Sequence, residues 1–232
     1  MLNKHRVFNL AYALVFILVL AAEYWHLTLL ASVAKPCVPL LLIAFLCVTT
    51  NLSGRFHQRL FTGLIFSLTG STLMMMHDHD PKYVLYGIIG FAIFHVFYIS
   101  AFYLDFLSAK ELDKKGARVA IVSCLIAFTG FYLYIRPHLP VMKLPALICI
   151  FIAALLVMMA SFRNQRVNAL SFKLILGGVV LLVITDALAA QVYFAGEFYS
   201  SGLLISAVYM LAQYLIISGG VERKLVHTQT PL

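Results

Sequence analysis

Asp186 lies in the run Leu-Leu-Val-Ile-Thr-Asp-Ala-Leu-Ala-Ala over residues 181–190, where every neighbour except Thr185 is apolar. A carboxyl kept from water by such neighbours suits donation of a proton to a substrate, the work of a general acid. It would equally serve as a structural acceptor for a hydroxyl such as that of Thr185. His95 stands deep in another apolar run and reads as a base, a hydrogen-bond partner of Asp186, or a packed core histidine. Tyr98 is three residues on and shares its helical face, as Tyr209 and Gln213, four apart, share another. Glu23 and His26 read as an interfacial pair. His77-Asp78-His79-Asp80 has the residue types of a metal site. Alternation in a short loop points its side chains apart, and no further ligand lies nearby, so no metal is expected. There is no G-x-S-x-G, H-E-x-x-H, phosphate-loop or dinucleotide fingerprint. The chemistry to expect is proton transfer among side chains embedded in apolar segments.

The elements that must hold these groups follow from composition. The chain has 232 residues, 62% hydrophobic and only 11% charged, with a mean hydropathy of +0.96. A soluble domain carries about 25% charged residues, so soluble and disordered classes are excluded. The apolar residues form blocks about as long as the roughly 20 residues that cross a bilayer. Lipid cannot satisfy exposed backbone groups, so these blocks must be helices. The expected architecture is all-α: a polytopic membrane protein, one transmembrane domain over 1–232, with spans near 7–27, 36–52, 60–76, 83–106, 118–135, 141–161, 170–191 and 200–219. Lys35-Pro36 is read as opening the second span, since proline fits a first helical turn. Of the nine acidic residues, Glu23 and Asp186 alone are read as lying well inside a span.

The net charge of +8 does not imply nucleic acid, because the basic residues flank apolar blocks and form no stripe. Thirteen of the seventeen, among them Arg163 and Arg223, fall on one side of an eight-span layout. The positive-inside rule then predicts cytoplasmic N- and C-termini, in the inner membrane for a bacterial chain. Cys37, Cys47, Cys124 and Cys149 form no C-x-x-C pair and no secreted pattern, and read as free thiols. The two halves carry weak similarity: Thr69-Gly70-Ser71 answers Ile184-Thr185-Asp186 at an offset of 115, and His95 answers Gln213 at 118. A four-plus-four parallel repeat would bring spans three, four, seven and eight around one cavity.

These residues resemble the YhhN family of eight-span membrane proteins, which includes the lysoplasmalogenases. The matching pieces are Lys35-Pro36, the segment Gly-Leu-Ile-Phe-Ser-Leu-Thr-Gly over 63–70, and Phe94-His95-Val96-Phe97-Tyr98, similar to the family's F-x-x-x-H-x-x-Y region. Thr185-Asp186-Ala187-Leu188-Ala189 resembles its S-D-x-x-L-A segment, and Tyr209-Met210-Leu211-Ala212-Gln213 its Y-x-x-A-Q ending. The pieces occur in the family's order and cover most of the chain. The resemblance implies hydrolysis of the vinyl ether bond of lysoplasmalogens to a fatty aldehyde and a glycerophospho-alcohol. It implies a lysophospholipid substrate among membrane lipids, with no metal or other cofactor required. It makes Asp186 the acid and His95 the residue that orients water, with Tyr98, Tyr209 and Gln213 as substrate-side hydrogen-bond partners and Lys35 at the lipid phosphate.

The chain departs from the family at one position. The family's other aspartate follows glycine in span three, and here that residue is Ser71. Serine neither donates a proton as an acid does near neutral pH nor stabilises a cation by charge. The alternative to a hydrolase is therefore a lysolipid-binding sensor, or a lipid transporter, with little or no hydrolysis.

Overall fold

The computed structural model describes residues 5–76, 80, 82–109, 113–139 and 142–226. Over these the chain forms eight α-helices and no strand: α1 Arg6–Tyr24, α2 Thr28–Thr50, α3 Arg55–Met75, α4 Lys82–Leu107, α5 Lys114–Ile135, α6 Lys143–Ser161, α7 Ala169–Ala190 and α8 Ser201–Val221. A 3₁₀ turn, Arg136–His138, follows α5, and a π-helical turn, Gln191–Ala195, extends α7. Seven of the helices are long and apolar enough to cross a membrane; α3 is the exception. Its first turns carry Arg55, His57, Gln58 and Arg59, and it packs against α4 in one of the two closest helix pairs. The chain is thus an all-α, polytopic membrane protein. His77, Asp78 and His79 lie outside the described residues.

Two expected boundaries move. α2 starts at Thr28, so Lys35-Pro36 does not open it, and both Pro36 and Pro39 lie inside the helix. The apolar run from Thr28 to Val33 has no polar break to start from later. Membrane helices tolerate internal proline; around these two, Ser32 Oγ donates to the Thr28 carbonyl (2.9 Å) and Cys37 Sγ to that of Val33 (3.3 Å), each one turn back on the same helix. α3 starts at Arg55 rather than residue 60, because Gly54, at φ 83°, turns the chain directly into it.

The packing follows the four-plus-four pattern. α1 packs on α2 as α5 does on α6, and α2 on α3 as α6 does on α7; the hairpins α3–α4 and α7–α8 correspond, and so do the cross-contacts α2–α8 and α6–α4. Gly63 and Gly178, 115 residues apart, sit at matching close approaches. A Cβ on Gly63 would lie 2.7 Å from the Tyr98 ring; one on Gly178 would lie 2.8 Å from the Ala212 carbonyl oxygen. Small residues are what lets membrane helices pack this closely. Since backbone cannot move aside as a side chain can, Gly178→Ala is expected to cost about 1–3 kcal/mol by overpacking. Gly177→Ala, with nothing within 4 Å, should instead stabilise α7 by about 0.5–1 kcal/mol. Thermal unfolding of the two variants in detergent checks both signs.

A buried charge cluster ties one end of the bundle together. Asp105, on the last turns of α4, is fully buried, and so is Arg163 from the α6–α7 loop. Arg163 Nε donates to Asp105 Oδ2 (2.7 Å), and its Nη2 to Ser171 Oγ on α7 (3.0 Å). Arg223, just past α8, donates Nε to Asp105 Oδ1 (2.7 Å) and lies over the Phe56 ring of α3. This corrects the reading of Glu23 and Asp186 as the only acidic residues deep in spans, and of Arg163 and Arg223 as simple loop charges. Near the same end Asp113 caps α5, accepting from the Gly116 N–H (2.8 Å) and from Asn164 Nδ2 (2.6 Å). These two donors, the backbone one foremost, hold its carboxyl below the usual carboxylate range.

Candidate functional site

His95 projects from the middle of α4. Its Nδ1 lies 2.7 Å from the Phe91 carbonyl one turn back. A carbonyl only accepts, so Nδ1 carries a hydrogen and Nε2 is left to face Asp186. Nε2 stands 3.1 Å from Asp186 Oδ2. The approach is not in line, and neither atom has a hydrogen-bond partner among the described residues. An imidazole nitrogen and a carboxyl oxygen thus face each other at close range on the cavity wall. Asp186 comes one turn before the π-helical turn Gln191–Ala195. Such turns widen a helix locally and recur at functional sites.

The pair borders a large cavity of about 660 Å³, within the usual size of a small-molecule site. Its wall is almost wholly apolar and draws on all eight helices. Asp186, His95, Lys35, Ser71 and Tyr209 all line it. His95 is buried behind the wall surface, while about a third of the Asp186 side chain is open to the cavity. Ser71 donates to its own helix, to the Leu68 carbonyl (2.9 Å). The Tyr209 hydroxyl meets Ser67 Oγ, which sets the ring between α3 and α8. Lys35 Nζ is held by Glu23 Oε1 at 2.5 Å.

The structure thus gathers five of the seven residues singled out from sequence at one cavity. Tyr98 and Gln213 are elsewhere. Both are buried, neither borders the cavity, and the Tyr98 hydroxyl donates to Gln213 Oε1 (3.0 Å), joining α4 to α8. Their geometry is that of a brace behind His95 and Tyr209. Glu23 partners Lys35 and not His26; His26 takes a left-handed backbone (φ 54°) in the α1–α2 turn. The carboxylate beside Lys35 escaped the sequence reading, although the 12-residue separation across a helical hairpin is compatible with it. Cys149 and Ser206 on the wall also escaped it, since neither type stands out in an apolar helix. Among the described residues no cluster of His, Cys, Asp and Glu has the makings of a metal site.

An acid–imidazole pair at one part of a greasy cavity can protonate an apolar substrate and position water against the product cation. No solved structure matches the chain. Lysoplasmalogenase TMEM86A of Homo sapiens is 27% identical over 173 residues, covering 72% of this chain and 66% of the relative. The chain therefore spans just under two thirds of that protein's length. The family model described as YhhN family matches residues 30–220, which include every residue lining the cavity except Val19. With most of its length and nearly the whole cavity wall inside that match, the chain belongs to the YhhN family.

Proposed function

We propose that the chain is a membrane-embedded hydrolase of the vinyl ether bond of lysoplasmalogens, with Asp186 as its acid and His95 as the group that orients water. The observation that carries this reading is the Asp186–His95 pair, 3.1 Å apart on an apolar cavity. The distant relative named as a lysoplasmalogenase supports it. Asp186 gives its proton to the chain carbon β to the ether oxygen. The double-bond electrons form that C–H bond, and an oxocarbenium ion is left at the α-carbon beside the new carboxylate. Carboxylates stabilise such cations electrostatically. Water held by His95 Nε2 adds to the α-carbon and returns a proton to Asp186. The hemiacetal then splits its C–O bond: its hydroxyl proton leaves, the glycerol oxygen is protonated, and aldehyde and alcohol separate, one water having been consumed. Lys35 has three ammonium hydrogens. One engages Glu23, and the others are free to meet a lipid phosphate. The distribution of basic residues supports cytoplasmic termini.

A second reading rests on Ser71. It faces the same cavity as Asp186 from the corresponding position of the other half, but brings no charge. On that reading the chain binds lysolipid, as a sensor or transporter, without turning it over. The deciding assay is aldehyde release from lysoplasmenyl-ethanolamine by purified protein, with the saturated alkyl-ether analogue as control. Release from the vinyl ether alone is expected. Saturable binding without release favours the second reading. Ser71→Asp is expected to raise the rate about 10-fold or more, as one added acid–base group can contribute 10²–10⁴-fold. A fall in rate would mean that the cavity is tuned to one carboxyl.

A further inference from the structure

The four-plus-four correspondence fails at one place, and that place is on the cavity. α1 is packed and bonded to α8: the Tyr12 hydroxyl donates to the Met210 carbonyl (2.7 Å) and the Tyr214 hydroxyl to Asn9 Oδ1 (2.9 Å). The counterparts of α1 and α8 are α5 and α4. No comparable packed interface joins those two among the described residues. Besides packing on α6, α5 is pinned at its ends. Asp113 accepts from Asn164 Nδ2 at one (2.6 Å), and the Tyr134 hydroxyl donates to Gln191 Oε1 at the other (2.8 Å). Between the pins, Ala127 and Phe128 of α5 and Ile88 and Ala92 of α4 all border the cavity. The outer face of α5 is exposed and apolar, with Leu125 and Ile126 about two-thirds accessible. What the first half closes with an interface, the second half leaves as a cleft toward lipid.

We infer that the α4–α5 cleft is a lateral portal for a single-chain lipid, and that the α5–α6 wall is the seat of its hydrocarbon chain. A charged headgroup cannot cross an apolar cavity cheaply. A chain that slides in sideways lets the headgroup stay at the membrane surface. The cavity is shaped for that result. Cys149 stands about two turns in from the start of α6 and Asp186 about one turn from the end of α7, so the packed antiparallel helices bring them to a similar depth, and from there α6 lines the cavity as far as Val157. Eight residues at 1.5 Å each make about 12 Å of apolar wall running inward from the carboxyl. α5 lines it to a similar depth, down to Ser123 and Cys124. A lipid with its ether end at Asp186 would lay its chain against that wall. The inference takes only the position of the ether end from the function proposed above; the portal and the seat stand whether or not the bond is broken.

The test uses the whole protein in nanodiscs of dioleoyl-phosphatidylcholine. The probe is a 1-O-hexadecyl lysophosphoethanolamine with a diazirine near the chain tip, a saturated ether that a vinyl ether hydrolase does not cleave. After photolysis, peptide mapping is expected to place the label on α5 near Ser123–Ala127 and on α6 near Ala153–Val157, with at least 10-fold loss of label under excess unlabelled lysolipid. Label confined to α1, α2 or the outer face of α5 overturns the seat. Val157→Phe, about 12 Å along the wall and beyond the reach of an octyl chain, should cut labelling by the hexadecyl probe at least 10-fold and by an octyl probe less than 2-fold; equal loss of both also overturns it. For the portal, Ala92→Cys and Ala127→Cys are combined in a chain whose four native cysteines are serine, then stapled with a reducible bis-thiosulfonate. Stapling should abolish labelling and reductant should restore it; unchanged labelling overturns the portal. Label on the α5–α6 wall without any aldehyde release in the parallel assay sinks the hydrolase and keeps this inference. Aldehyde release without wall label does the reverse.

Discussion

Asp186→Asn is expected to lower aldehyde release by about 10²–10⁴-fold, the range that a positioned general acid contributes, while lysolipid still binds. Asparagine keeps the shape of the side chain and its contact with His95. It removes both the transferable proton and the negative charge that would face the oxocarbenium ion. The pair offers no substitute donor in the right place. His95 Nδ1–H is committed to the Phe91 carbonyl, and Tyr209 on the cavity wall shares its hydroxyl with Ser67. His95→Gln should cost less, because a water can still be held by an amide, and should leave some release. Single-turnover aldehyde release, run beside equilibrium binding of the saturated analogue, separates the chemical step from affinity. If Asp186→Asn retains near-normal release, the acid lies elsewhere and the assignment fails. If it loses binding as well, the carboxyl is holding the cavity together rather than reacting.

Asp105→Asn should be the most damaging single change to stability, at about 3–5 kcal/mol, the cost of leaving a buried charge without its partner. Two guanidiniums converge on this one carboxylate, and Arg163 has no exposure through which to recover hydration. Their stacking on Phe56 and Phe102 offsets only part of the loss. Replacing all three together by apolar residues of similar size, Asp105→Leu with Arg163→Met and Arg223→Met, should be far milder than Asp105→Asn alone, since no charge is then stranded. Denaturant unfolding in detergent micelles, followed by circular dichroism, ranks the variants. A triple variant less stable than the single one would contradict the argument.

The helices were legible in the sequence because lipid leaves the chain no other way to satisfy its backbone. Asp186 and His95 were legible for a related reason: ionisable groups in apolar runs are costly and stand out. Their contact follows from the hairpins that bring α4 and α7 to one cavity. Asp105 was hidden because its partners are 58 and 118 residues away and it sits next to a polar loop, where an acidic residue looks ordinary. Tyr98 and Gln213 show a further limit. Helical spacing says that Tyr98 shares a face with His95, but not that α8 covers that part of it. The start of α2 was misplaced because proline has two meanings, opening a helix in water and bending one in a membrane. The expectation of eight spans held at the level of helices, with α3 polar enough to depend on its neighbours.

The knot at Asp105 also imposes an order of events on synthesis. The carboxylate enters its helix long before either cation exists: Arg163 is 58 residues later and Arg223 is 118. At the usual 5–20 residues per second, about 6–24 s separate translation of Asp105 from that of its last partner. Until Arg163 follows, about halfway through that interval, α4 must be lodged with its acid unmatched, and until Arg223 follows, with one of its two cations missing. The bundle therefore cannot lock from the N-terminus forward. Its first half waits for its final turn to be made, and the last helix completes the first hairpin as well as its own.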